Sequence, residues 1–164
     1  MRWPWRLRSA RPSADAANEV TPRSFLTLLI TAAKDPSRPD LVIPPDGMRN
    51  AGMRAASRVR VDQLFQEFPW IKGVLAPLAG LLLPKDESAV FKLWRDAETV
   101  QRTLADAEKQ NYLPPVQDLR DESGLFTALE HIRVMTRRPD GRLDMPDLFR
   151  VAARLLKKGA TAPT

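Results

Sequence analysis

The chain has 164 residues, enough for one domain or two very small ones, and carries 26 lysines and arginines against 20 aspartates and glutamates, a net charge of +6. That charge implies an anionic partner (nucleic acid, an acidic protein surface or a membrane face) or simply a solubilising surface. The absence of cysteine excludes disulfides, thiolate metal sites and thiol nucleophiles and fits a cytoplasmic setting, while 15 prolines against 7 glycines imply several short elements.

Residues 1–20 read as a basic disordered tail: Arg2, Arg6, Arg8 and Arg11 alternate with Trp3, Trp5, Pro4 and Ser9, with no apolar segment of the kind a secretory signal needs. Two tryptophans without an amphipathic helix bury little area in a membrane interface. A first helix is predicted from Thr21, which can cap, through Pro22 in the first turn to about Lys34, with Phe25, Leu28, Leu29 and Ala32 inward. Residues 37–47 carry Pro39, Pro44 and Pro45 and read as a loop. A second helix is predicted over Gly47 to Phe68, with Met53, Ala56, Val61, Leu64, Phe65 and Phe68 on one face. Its Arg49, Arg54, Arg58 and Arg60 could grip phosphates or form a solvated face. Pro69 opens a short apolar helix with Trp70, Val74, Leu75 and Leu78; the apolar run from Gly73 to Leu83 is too short to span a bilayer and is broken by Pro77.

After Pro84, Asp86 or Ser88 can cap a helix bearing Val90, Phe91 and Trp94, whose period Val100 and Leu104 continue towards Gln110. Pro114 and Pro115 break the chain again, and a short helix follows from Glu122 to Ile132 with Leu125, Phe126, Leu129 and Ile132 inward. Residues 134–138 and 142–145 flank Pro139-Asp140-Gly141, a hairpin signal in which Gly141 supplies a positive φ. A final helix is predicted from Pro146, with Leu148, Val151, Ala152 and Leu155 apolar, Lys157 and Lys158 at its C-terminal end and Gly159 as its stop. Short helices followed by a basic ribbon give a mainly α fold: a short-helix bundle over 21–83, then a winged-helix-like unit with one small β-hairpin over 84–160.

Catalytic constellations are missing from the pattern. His131 is the sole histidine, so a two-histidine metal site is impossible, and it reads as a partly buried or capping residue. The acidic residues show no pairing that would mark general acid and base, and Lys72-Gly73 lacks the strand and glycines of a phosphate loop. No enzyme activity, metal or cofactor is expected.

Five stretches together resemble the C-terminal region of bacterial ParA/MinD-like P-loop ATPases with a KGGVGR-variant phosphate loop. Thr21 to Leu26 matches that family's TPRSFL; Arg54 to Val61 resembles its EASKIRV helix; Glu67 to Ile71 with Ala76-Pro77-Leu78 is similar to YPWV…EPL. Phe91 to Trp94 sits where the family has an aromatic helix, and Arg138 to Val151 resembles RPDGRVNVPDIFRV. The resemblance covers about residues 20 to 160 but not the family's ATPase domain, so nucleotide hydrolysis does not carry over. Ala76 replaces the usual glutamate, and residues 152–156 lack the family's glycines. On this resemblance the chain is expected to be a split gene's second half, a truncated paralogue or a stand-alone copy.

The resemblance implies a non-catalytic regulatory or interaction module acting with a P-loop ATPase in cis or trans, or with another protein. Trp70, Phe91 and Trp94 are its candidate partner-binding residues, and are also candidates for the core. The alternative is a winged-helix protein binding duplex DNA. Arg133, Arg137, Arg138 and Arg142 lie on or beside the wing, and Arg150, Arg154, Lys157 and Lys158 on the last helix, eight basic residues against Asp140, Asp144 and Asp147.

Overall fold

The computed structural model describes residues 20–36, 42–115 and 119–159. The tail over residues 1–20 therefore falls, apart from Val20, outside the described residues, as do positions 37–41 of the first proline-rich loop. Helix α1 (Pro22–Ala33) starts where its sequence dictates. Thr21 Oγ1 accepts a hydrogen bond from the Ser24 backbone N–H at 3.4 Å and donates to Ser24 Oγ at 2.8 Å. Ser24, Leu28 and Ala32 form its buried face, whereas Phe25 and Leu29 are only half-buried.

Two glycines set the packing on that face. A Cβ on Gly52 would stand 2.7 Å from the Leu28 carbonyl oxygen, and one on Gly47 would stand 2.9 Å from that of Ala32. The chain from Pro45 can thus lie backbone to backbone against α1. It runs as α2 (Pro45–Gly47), a wider π turn over Met48–Gly52, and α3 (Met53–Glu67), which buries Met53, Ala56, Ser57, Val61 and Leu64. Helix α4 (Trp70–Leu75) follows, tightened into a 3₁₀ turn over Ala76–Leu78 and leading to β1 (Leu82–Leu83).

The single helix predicted from Asp86 towards Gln110 is two helices, α5 (Glu87–Asp96) and α6 (Thr99–Gln110). Glu98 breaks them with a left-handed φ of 51°. The break rotates α6, so Val100, Thr103 and Ala107 face inward and Leu104 is left 38% exposed. Helix α7 (Glu122–His131) is capped by the Asp121 carboxylate, which accepts from the Gly124 N–H at 2.9 Å.

The hairpin forms as its turn chemistry requires. β2 (Thr136–Arg137) pairs antiparallel with β3 (Leu143–Asp144), with Thr136 opposite Asp144 and Arg137 opposite Leu143. The Gly141 N–H donates to the Arg138 carbonyl at 2.9 Å, and Gly141 takes a φ of 80°. Lys85 adds a further rung through reciprocal backbone bonds to Leu143 of 2.8 and 3.0 Å.

The final helix is much shorter than predicted. α8 covers only Asp147–Arg150, and residues 151–154 turn, with Arg154 left-handed at φ 61°. The chain then runs extended as β4 (Leu156–Lys157), parallel to β1, with Leu82 opposite Leu156 and Leu83 opposite Lys157. Lys157 therefore lies on a strand rather than at a helix end. The described chain is mainly helical with one small antiparallel hairpin. Its apolar core is one cluster that runs from Leu28 through Trp70, Trp94 and Leu129 to Leu155, so the boundary at 83/84 does not separate two cores. No described helix is long and apolar enough to cross a membrane.

Two glycines in helical backbone should respond in opposite directions to a methyl group. Gly52→Ala gains about 1 kcal/mol of helix propensity but drives Cβ into a backbone carbonyl, so a net loss of roughly 1–2 kcal/mol is expected in urea unfolding. Gly73→Ala, in α4 with no heavy atom within 4 Å of the added carbon, should instead gain about 0.5–1 kcal/mol. A Gly52→Ala protein as stable as its parent would disprove the backbone contact with α1.

Candidate functional site

The structure distributes the eight candidate basic residues among three different roles. Arg137 on β2 makes a two-pronged ion pair with Glu87 at the start of α5, its Nη2 lying 2.6 Å from Glu87 Oε1, and its guanidinium carbon sits 5.0 Å from the centre of the Phe126 ring. Arg142 donates to Asp140 Oδ2 through Nη2 at 2.6 Å and Nε at 3.0 Å. Arg138 lies 3.6 Å from Asp144 and 3.9 Å from Asp140. Lys157 reaches across from β4 to both oxygens of Asp144 at 3.2 Å. The ribbon's cations thus face carboxylates of the same chain.

The titration behaviour follows from these contacts. The hydrogen bond from Arg137 holds the Glu87 carboxyl below its ordinary range, against the opposing effect of burial, and Glu87 in turn raises Arg137. Side-chain and backbone hydrogen bonds from Arg142 lower Asp140, and the Asp140 partner raises Arg142.

Arg150 is no surface residue at all. Its side chain is 0% exposed, Nε donates to Asp147 Oδ1 at 2.9 Å, and Nη1 donates to the Leu155 carbonyl at 2.9 Å. It cannot touch a phosphate, because its donors are directed into the turn that follows α8. Arg133 and Arg154 are exposed and both left-handed, at φ 62° and 61°, ending α7 and the α8 turn respectively; Lys158 is exposed beyond β4. Of the α3 arginines, Arg58 is exposed, while Arg60 lies 6.0 Å over the Phe149 ring.

The aromatic candidates divide in the same way. Trp94 is 0% exposed and its indole N–H donates to the Val74 carbonyl at 2.8 Å, so it is a satisfied core residue. Trp70 is buried too, tilted against Phe68. Phe91 is half-buried and stacks on Trp94 with ring centres 5.9 Å apart, so it keeps some outward surface. Exposed large apolar residues lie elsewhere: Leu26 and Ile30, 55% and 57% exposed, stand four residues apart on α1, Leu82 and Leu156 are cross-strand neighbours on the β1–β4 pair, and Val42, Leu104 and Leu113 are also exposed. Leu26 and Ile30 flank the stripe read as inward and were missed in the sequence because both helix faces are apolar. His131, read as partly buried or capping, is exposed in the last turn of α7.

Among the described residues no group of three or more His, Asp or Glu is placed to hold a metal ion. The chain matches no protein-family model, no curated protein and no solved structure.

Two measurements test this arrangement. Arg150→Met should leave the Asp147 carboxylate and the Leu155 carbonyl without their donor, for a loss on the order of 2–4 kcal/mol in unfolding free energy; an unchanged melting temperature would deny Arg150 its structural role. The lowered pKa of Glu87 means the unfolded chain binds that proton more readily. Its contribution is therefore complete above the ordinary carboxylate value and is lost as pH falls through the lower, folded value. Between about pH 6 and about pH 3 the parent's melting temperature should drop further than that of Glu87→Gln, which takes up no proton there. Parallel curves for the two proteins would show that the Arg137 pair does not contribute to acid sensitivity.

Proposed function

We propose that this chain is a non-catalytic interaction module that works by contact with a protein partner. The partner class is a ParA/MinD-like P-loop ATPase, in cis or trans, as the resemblance over residues 20 to 160 implies. The observation that favours protein contact over DNA is the exposed apolar strip on α1, where Leu26 and Ile30 are each more than half exposed and Phe25 and Leu29 flank them half-buried. A winged-helix reader of DNA needs its wing arginines available for phosphates. Here Arg137, Arg138 and Arg142 are held by Glu87, Asp140 and Asp144, and Arg150 is buried. A phosphate backbone would have to displace those carboxylates.

The test is co-expression with a ParA/MinD-like ATPase from the same genome, with complex formation followed by size exclusion and calorimetry. Leu26→Asp with Ile30→Asp, at two exposed positions, should weaken the complex by about thirtyfold or more while leaving the melting temperature nearly unchanged. The reading fails if the chain stays monomeric beside the ATPase but binds duplex DNA, with affinity that falls steeply with salt and is lost in an Arg137, Arg138, Arg142 triple alanine variant.

A further inference from the structure

A groove of about 590 Å³ runs between α4 and α6 and is used by neither the ribbon nor the α1 strip. We propose that it is a binding site for a small ligand with an oxyanion head and a flat apolar body, an effector site distinct from the protein-contact surface.

Three independent features point to such an occupant. The first is Gly73, which lines the groove from the middle of α4. Its φ is not positive, and a Cβ there would meet nothing within 4 Å, so neither backbone strain nor close packing calls for glycine. A helix-interior glycine lowers stability by about 0.5–1 kcal/mol relative to alanine. What it provides here is width in the groove.

The second feature is Thr99, in the first turn of the 12-residue helix α6. It lines the groove, is 2% exposed, and its hydroxyl has no hydrogen-bond partner among the described residues. A buried hydroxyl without a partner is uncommon and unfavourable. The first N–H groups of a helix also lack intrahelical partners and carry partial positive charge, and Glu98, at the cap position, makes no side-chain capping bond. An oxyanion at this point would accept from the hydroxyl and meet the helix end.

The third feature is the division of charge and apolar surface. Arg102 stands one turn from Thr99 on α6 and Lys72 lines the groove from α4, while Asp106 lies two turns along α6, about 10 Å from Thr99 by helical rise. Phe65, Trp70 and Tyr112 supply an aromatic wall. Burial and the neighbouring Asp106 both raise the Tyr112 pKa, so its phenol stays neutral and offers a ring and an O–H. The head group belongs at the cationic end, away from Asp106, with the ring of the ligand against the aromatic wall. The volume lies in the range typical of small-molecule sites, roughly 300–1,000 Å³.

Phenyl phosphate and phenylacetate present the shared chemistry with two different oxyanions; benzyl alcohol lacks the charge, and inorganic phosphate lacks the ring. Titrating each into the full chain, followed by amide chemical shifts, should give saturable changes at Gly73, Thr99 and Arg102 with at least one aryl oxyanion. Which one binds distinguishes a phosphorylated from a carboxylated ligand class. Benzyl alcohol and inorganic phosphate should bind about tenfold or more weakly. Gly73→Phe fills the groove where an added side chain meets no neighbour at its Cβ, and should abolish the shifts while the protein remains folded. Arg102→Glu, at an exposed position, should weaken binding about three- to tenfold without disturbing the fold. The proposal is overturned if neither aryl oxyanion gives a saturable response up to about 10 mM, or if Gly73→Phe binds as well as the parent.

Discussion

The buried guanidinium of Arg150 organises the C-terminal third of the fold. Asp147, three residues earlier, takes Nε, and the Leu155 carbonyl takes Nη1, so the chain leaving α8 is forced to turn instead of continuing as helix. The Leu155 N–H returns to the Arg150 carbonyl at 3.1 Å, closing the same turn from the backbone side. From there Leu156 and Lys157 extend along β1, and the Ala152 N–H donates to the buried Ser57 hydroxyl on α3 at 3.0 Å. One side chain thus fixes the turn that brings the C-terminal strand back onto β1 and α3. A cation enclosed in this way is favourable only while its acceptors, Asp147 and the Leu155 carbonyl among them, stay in place, because its desolvation is large.

The same economy governs the ribbon. Two strands of two residues each are too short to be stable alone, and the Lys85 rung adds only one further pair. What fixes the hairpin is its inner face, where Val134, Met135, Leu143 and Met145 are fully buried against α7 and the core. Its outer face is tied down by charge, with Arg137 on Glu87 anchoring β2 to α5 across fifty positions of sequence. The ion pairs are exposed enough to be individually weak. Their consequence is therefore more electrostatic than energetic: the ribbon's positive charge is compensated locally, and its potential at a distance is smaller than the arginine count alone implies.

The parts legible from sequence are those whose cause is local. Thr21 with Pro22 fixed the start of α1, the Pro139-Asp140-Gly141 bend fixed the hairpin, and Pro69 and Pro77 bounded α4. The α5–α6 break was invisible because no glycine or proline marks it. Glu98 adopts a left-handed conformation that its residue type does not favour, and the packing of Val100, Thr103 and Ala107 is what requires it. β4 was unreadable for a different reason: Leu156 is a strand residue only because Leu82, far away in sequence, is beside it. Arg150 was misassigned because an arginine counts as surface until its partners are known. Asp147 three residues before it, with apolar Leu148, Phe149 and Val151 on either side, was the available sign that this cation points inward.

These errors have a common direction, and it bears on where contact surface remains. Counting charges by sequence offered the ribbon as one functional face, and Trp70, Phe91 and Trp94 were candidates for partner contact and for the core alike. Folding uses both sets internally: the tryptophans fill the core, with the Trp94 indole N–H satisfied by Val74, and the ribbon arginines neutralise neighbouring carboxylates. What is left over is less conspicuous in the sequence. It includes aliphatic side chains on the outer face of α1 and on the β1–β4 pair, and a groove whose defining features are an absent side chain at Gly73 and an unsatisfied hydroxyl at Thr99. A glycine that neither turns nor packs, and a buried donor without an acceptor, both lower stability in the isolated chain. Each is explained more simply by something that occupies the space than by the fold itself, which would be more stable with alanine at Gly73 and with an apolar residue at Thr99.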